Sequence, residues 1–511
     1  MISVIRTNFY LGSCLGLLLG GAGCGVVSRP VLVGLPPVPI SAPAPTSLLV
    51  PVPPPPPVVP VDALIRALLD TTAAGAHTTD TRRNLQAGAD VRALYGQAGV
   101  PRWTAPTDTL GTNATAALAQ LARAPDYGLR PIDYGLPRLL ALRDSLALVQ
   151  LPTAALAPRT RQQARFDVYL SDAVLGFMRD LRRGRLRAYV LTAREKAAGS
   201  ANRPAAALRA ALATGRVPQA MLAGQPTNRE YRQLQLALAR WLVRLGSPDS
   251  VARHQARFEQ VALNLERWRW DPIPLAEDEY LLINLPAFEL QVVACDSVRR
   301  RYRVIVGKSL TPTPTLSSRI RYFTLAPTWN VPYSIATQEM LPRLKEDPGY
   351  LADNNLELYD GRNRPRNPWR IDWGPVTERN FVYNIRQSSS CDNALGGIVF
   401  RFPNAHSVYL HDTPQRRLFA RPNRAFSHGC IRLENPRELA AYLLRREGHR
   451  EPLPSPAAAR RASPQNVTFA RPMPIYIRYA TCTAERGRLR FLPDIYQRDE
   501  ELRQALFGVL P

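Results

Sequence analysis

The sequence predicts a multidomain α+β protein in which a mostly α-helical region, residues 61–270, precedes a mainly β region, residues 271–511. Three observations carry this expectation. The chain has 511 residues, well beyond the roughly 100–200 residues of one domain. Apolar residues recur near helical spacing between Val61 and Trp270, then from Glu279 fall into short alternating runs bounded by turn residues. The 48 prolines are too many to spread through helices and strands, and they crowd ahead of the first helix.

Taken in chain order, residues 1–24 read as a signal peptide. Arg6 precedes an apolar run from Phe9 to Ala22, shorter than the about 20 residues that span a bilayer as a helix. The run closes on Gly21-Ala22-Gly23-Cys24, which resembles the lipobox of bacterial lipoproteins but lacks the usual Leu at Gly21. Lipidation of Cys24, which would anchor the chain to a membrane, and plain cleavage nearby both stay open. Residues 25–60 form a linker: 13 of the 31 residues from Pro30 to Pro60 are proline, so extended polyproline II is expected, reaching on the order of 95 Å at about 3.1 Å per residue.

The helical reading of 61–270 rests on Asp62 to Leu69, Ala116 to Leu121 and the long stretch from Arg165 to Leu186. No catalytic spacing occurs there. In the β region, Tyr280–Leu285, Leu290–Val293 and Tyr302–Gly307 are strand-like. The stretch 338–384, rich in Asp, Asn, Arg and Pro, interrupts them as a lid-like insertion, and a last strand is expected at about 474–480 after a Pro/Ala-rich detour.

A formal charge of +25 suits a polyanionic partner: nucleic acid, an anionic membrane or a carboxylate-bearing cell wall. Composition bias is the plain alternative, because lysine occurs only at Lys196, Lys308 and Lys345. The arginines are scattered and no base-reading motif is present, so no nucleic-acid partner is expected. Six cysteines without a C-x-x-C pair argue against zinc or redox chemistry. Cys295 and Cys482 lie in strand-like runs and read as packing.

One pair carries chemistry. Tyr409-Leu410-His411-Asp412-Thr413-Pro414 and Ser427-His428-Gly429-Cys430-Ile431-Arg432 place a histidine 19 residues before a cysteine. Thiol acyl transfer needs a base to ionise a thiol whose ordinary pKa is about 8.5. Gly429 removes a side chain beside the thiol and leaves backbone N–H groups at Gly429 and Cys430 as candidate oxyanion donors. A cysteine and a histidine alone are as readily structural.

The two motifs together resemble the active-site signature of the YkuD-type L,D-transpeptidases. The likeness extends through Val304–Lys308, Thr311–Pro314, Trp329–Pro332, Pro348–Leu351, Asn393–Gly396 and Phe402–Asn404, and resumes at Pro474–Tyr479 and Asp494–Tyr496. Upstream, Leu94-Tyr95, Trp103, Tyr127–Pro131, Leu170–Ala173 and Asn264–Trp270 are similar to the scaffold region of the large members of that family. The small peptidoglycan-binding module that often precedes the Asn-Leu-Glu-Arg phrase has no counterpart between Tyr231 and Asn264.

The resemblance implies an acyltransferase of the cell envelope that needs no cofactor or metal and acts on peptidoglycan stem peptides. It assigns Cys430 as nucleophile and His411 as proton donor and acceptor, with Ser427, His428, Arg432, Tyr409 and Trp329 as supporting or substrate-facing residues. His428 is the open case, since it falls two residues from Cys430 on an extended segment. Asp412 reads as a turn residue, with a backbone carbonyl orienting His411. Tyr333, Trp329 and Trp369 either line the groove under the lid or pack in a core. The implied reaction releases the terminal D-alanine, leaves a thioester on Cys430 and forms a 3–3 crosslink with a second stem; hydrolysis instead, as an L,D-carboxypeptidase or endopeptidase, attachment of a lipoprotein lysine, and a non-catalytic wall-binding scaffold are the alternatives.

Overall fold

The computed structural model describes residues 58–70, 85–104, 110–147, 156–186, 204–274, 276–390, 392–449, 451–455 and 463–508. The signal segment, Cys24, most of the proline-rich linker and Cys391 lie outside the described residues.

The N-terminal half is helical. The 28-residue helix Leu156–Arg183 is the central member, and Val61–Leu69, Gly88–Tyr95, Leu136–Ala147 and Pro204–Thr214 pack around it. Phe166, Leu170, Val174, Phe177 and Leu181 are wholly buried on its inner face, the spacing of an amphipathic helix. Its polar residues meet the scaffold-like phrases of the sequence. Asp172 accepts from the N–H groups of Gln86 and Ala87 at 3.0 and 2.7 Å, at the start of the Gly88 helix. Ser171 hydrogen-bonds Tyr95 and Trp103 at 2.9 and 2.8 Å. Buried Asp167 accepts from the N–H groups of Arg102 and Trp103 and from the Tyr95 hydroxyl. Tyr95, Trp103 and Ser171 therefore belong to one satisfied buried network.

The described residues of the C-terminal half form fifteen strands: β1 (Glu279–Asn284), β2 (Glu289–Ala294), β3 (Ser297–Gly307), β4 (Leu316–Leu325), β5 (Trp329–Asn330), β6 (Leu356–Tyr359), β7 (Pro365–Arg366), β8 (Asn384–Gln387), β9 (Ile398–Arg401), β10 (Leu410–His411), β11 (Ala425–Ser427), β12 (Ile431–Leu433), β13 (Gln465–Arg478), β14 (Cys482–Glu485) and β15 (Arg488–Phe491). The main sheet runs β11-β3-β12-β10-β9-β4-β13-β1-β2, and a further pairing of β2 with β3 closes it on itself. Closure leaves the two strands at that seam no free edge. Its interior is filled by residues such as Leu281, Ile283, Val304, Phe323, Phe400, Ile431 and Ile475, and the helix Pro436–Arg446 buries Leu439, Ala440 and Leu443 against it.

Three boundaries differ from the sequence reading. The last barrel strand begins at Gln465, ahead of the expected 474–480, because Gln465–Thr468 already pairs with Leu325–Tyr322. The register breaks between Thr468 and Met473, around Pro472, which has no N–H to give the ladder; the apolar signal resumes only after that break. The insertion is wider than 338–384: β5 and β8 bring Trp329 and Gln387 into its own four-stranded sheet β5-β8-β6-β7, with a separate core of Met340, Leu344, Leu351, Leu358, Trp373 and Ile385. The β14–β15 hairpin and the helix Asp499–Phe507 pack on the helices Arg229–Leu245 and Gln255–Trp270, so the chain end serves the helical half as well as the catalytic one. Cys295 is also corrected. It is exposed, in a β2–β3 turn where Cys295 and Asp296 both have positive φ (48° and 60°), the geometry of a two-residue hairpin. Cys482 is buried in β14 as expected.

Candidate active site

The strand order brings the two motifs together. β10 and β12 are parallel neighbours, with Leu410 opposite Ile431 and His411 opposite Arg432. Leu410, Ile431 and Leu433 are buried in the barrel. Alternation along each strand therefore turns Tyr409, His411, Cys430 and Arg432 to the other face. That face opens on a cleft of about 680 Å³ lined by Trp329, Tyr409, His411, Ser427, His428, Cys430 and Arg432, with the insertion forming its far wall.

His411 is buried, and its Nδ1 lies 2.6 Å from the carbonyl oxygen of Asp412. Only a protonated Nδ1 can make that bond, so in the neutral ring Nε2 is left as acceptor. Burial, reinforced by the Arg432 charge, pushes the imidazole down to about 3, against the Asp412 carbonyl. The Asp412 carboxylate is occupied elsewhere: it accepts from Gly397 N–H (2.8 Å), Thr413 N–H (2.7 Å) and Arg416 (2.6 Å). Among the described residues no carboxylate partners His411 in a triad; a main-chain carbonyl orients the ring.

Cys430 is half-buried, its sulfur 4.0 Å from the Ser407 carbonyl. Burial pushes the thiol up, opposed by hydrogen bonding to Tyr409 and by the charges of Arg401 and Arg432. Cys430 thus rests as a thiol and His411 as a neutral imidazole, both lining the cleft. Tyr409 packs edge-on to His411, ring centres 5.5 Å apart. Arg432 donates to Gln415 at 2.7 Å, and its Nε is buried without a hydrogen-bond partner among the described residues.

Residues 427–430 form a braced loop. The Ser427 hydroxyl donates to the Cys430 carbonyl at 2.5 Å, and the Gly429 carbonyl accepts from Thr313 Oγ1 at 2.8 Å. Gly429 has φ +112°, a conformation that side-chain-bearing residues avoid. Backbone conformation is its requirement, since a Cβ there would meet nothing closer than 3.8 Å. The Gly429 N–H, expected as an oxyanion donor, is directed at Ser427 Oγ, 3.2 Å away, and Gly429 is not among the residues that line the cleft. An oxyanion would have to take that donor over from Ser427.

Of the aromatic candidates, Trp329 lines the cleft. Trp369 is 65% exposed and Tyr333, itself half exposed, spends its hydroxyl on the Glu378 carbonyl; neither lines it. The sequence reading missed Glu339, whose Oε1 is 2.5 Å from His428 Nε2, and Thr313. Each is far in sequence from the residue it meets, and no spacing signal marks it.

Residues 278–456 match the model of the L,D-transpeptidase catalytic domain (YkuD), and residues 89–238 match that of the Scaffold domain. A Haemophilus influenzae protein named "Putative L,D-transpeptidase" is 32% identical over 247 residues, 48% of this chain and 49% of that one. The chain thus spans about half the length of the curated relative it matches. A solved structure titled "Structure of the Ldtfm-avibactam carbamoyl enzyme" covers 40% of this chain and 50% of its own at 13% identity, with a TM-score of 0.19, a likeness that carries no argument.

Proposed function

From a chain in which a Scaffold domain precedes an L,D-transpeptidase catalytic domain, we propose a peptidoglycan L,D-transpeptidase that forms 3–3 crosslinks through a thioester on Cys430. The observation that carries this reading is that Cys430, directly before β12, and a neutral, carbonyl-oriented His411 on the parallel neighbour β10 line one cleft. His411 Nε2 takes the thiol proton as sulfur attacks the carbonyl of the third stem residue. The C–S bond forms, the bond to the terminal D-alanine breaks, and the departing amine receives that proton. An amine of a second stem then displaces sulfur. The guanidinium of Arg432, which lines the cleft, suits a stem carboxylate. The insertion walls the cleft, which limits water and favours aminolysis over hydrolysis. No metal or organic cofactor enters the scheme. The reading places the protein outside the cytoplasm, in the cell envelope, with the basic surface toward an anionic wall.

The test is mass spectrometry of the purified chain incubated with disaccharide-tetrapeptide beside a Cys430→Ala control. Dimers joined between third residues, absent in the control, are expected. Tripeptide alone means a carboxypeptidase, and no Cys430-dependent change in a folded protein means a wall-binding scaffold.

A further inference from the structure

We propose that Glu339 and His428 form the binding site for the primary ammonium group of the acceptor, a role apart from that of His411 toward the thiol. The inference rests on the acyl-transfer reading above and deepens it.

Glu339 stands on the π-helical turn Ala336–Met340 at the start of the insertion, and His428 two residues before Cys430 in the nucleophile loop. Their side chains meet across 89 residues of sequence at 2.5 Å, and both line the catalytic cleft. Neither is needed for packing: the side chains are 49% and 35% exposed respectively. The cleft carries charge of both signs: Arg343 and Arg432 line it together with Glu339 and Asp392, and the Arg343 guanidinium, four residues from Glu339, lies over the Tyr350 ring at 5.5 Å. Arg432 lies beside the sulfur, with Arg401 close enough to favour its thiolate, and this side suits the carboxylates of a donor stem. An incoming ammonium is repelled there. The carboxylates lining the cleft are Glu339 and Asp392, and of these it is Glu339 that is tied to the nucleophile loop. Its Oε1 is engaged by His428, which leaves Oε2 to accept from an ammonium in a charge-assisted bond.

The same pair answers the proton requirement of aminolysis, because an ammonium has no free electron pair until it loses a proton. Glu339 Oε2, which holds the ammonium, takes that proton, while its other oxygen stays bonded to His428 Nε2. The amine then forms the C–N bond, the C–S bond breaks with its electron pair going to Cys430 Sγ, and the second proton of the attacking nitrogen passes to sulfur. Glu339, being partly exposed, returns its proton to water.

The experiment uses the full chain, a donor tetrapeptide whose side-chain amine is acetylated, and a tripeptide acceptor with its amine free. Intact-protein mass reads the Cys430 adduct, and product mass reads the ratio of dimer to hydrolysed donor. Glu339→Gln is expected to form the adduct at the wild-type rate while the dimer-to-hydrolysis ratio falls about tenfold or more, the scale of one lost charge-assisted hydrogen bond, with a raised KM for acceptor. Glu339→Asp keeps the carboxylate and recovers part of the ratio. An unchanged ratio overturns the proposal, as does a parallel loss of adduct formation, which would make the pair a brace for the nucleophile loop. A wild-type chain that forms no Cys430 adduct overturns the acyl-transfer reading itself.

Discussion

His411 stays neutral through the working range because its pKa lies at about 3, held down by burial and by Arg432. Cys430, pushed up by burial, is still a thiol at neutral pH. Because His411 takes the thiol proton in the step of attack, single-turnover acylation should run level with pH across the neutral range, with no inflection near the 6.5 of an ordinary histidine. A pH–rate profile with an acid limb at 6.5 would show an imidazolium in the resting enzyme and refute this. His411→Gln should slow acylation by about 10²–10⁴-fold, the usual range for a lost general base. The same shift has a stability consequence. Between pH 6.5 and about 3 the unfolded chain binds a proton at this residue that the folded chain does not, so stability falls as pH drops through that window. The urea midpoint of His411→Gln should fall less steeply with acidification than that of the parent.

The nucleophile loop between β11 and β12 is held by the segment that follows β3. Ser427 O accepts from Lys308 N–H (2.9 Å) and Thr311 Oγ1 (3.2 Å). The Thr313 hydroxyl accepts from Gly307 N–H (2.9 Å) while donating to Gly429 O (2.8 Å). Tyr496, from the chain end, donates to Gly307 O (2.7 Å). Thr313→Val keeps the shape and leaves the buried Gly307 N–H and Gly429 O unpaired, at about 1–3 kcal/mol each. It should slow Cys430 acylation and lower the melting temperature together; a variant with normal acylation would show that the loop holds itself. Much of this element was legible beforehand. The signature residues gave Cys430 and His411, and strand alternation was enough to argue that Asp412 could not share a face with His411. The brace was not legible, because Thr313 meets Gly429 only through a register between β3 and β11 that no local pattern encodes. The insertion's edges were missed for a similar reason: two-residue strands such as β5 and β7 have too few alternations to register as strands.

At the scale of the whole molecule, the phrase Asn264-Leu265-Glu266-Arg267-Trp268-Arg269-Trp270 was recognisable in the sequence only as a likeness, and the fold supplies its physical reason. Asn264 exchanges hydrogen bonds with Thr481, 2.9 Å each way, and Gln260 donates to the carbonyls of Thr481 and Leu492. Arg267 pairs with Asp499 at 2.6 Å. These bonds join the last helix of the helical half to the segment that leaves the barrel after β13. On its opposite side the helix holds the bundle: Glu266 accepts from Leu186 N–H and Trp270 Nε1 at 2.9 and 3.1 Å, and Arg269 donates to the Tyr127 carbonyl. Glu266 and Arg269 face each other at 3.3 Å with side chains 1% and 0% exposed. Removing one member of such a pair strands the other charge in a medium that cannot solvate it, at about 3–5 kcal/mol, whereas replacing both with apolar groups of similar volume is often close to neutral. Glu266→Ala should therefore lower the unfolding temperature sharply, and Glu266→Leu with Arg269→Met should recover most of the loss. Calorimetry of the full chain is the measurement. If the junction couples the halves, the parent melts in one transition and Glu266→Ala separates a helical melt, followed at 222 nm, from that of the barrel. A single variant that melts with the parent would mean that this pair contributes nothing to the coupling, and the helix would then join the halves through Asn264 and Arg267 alone.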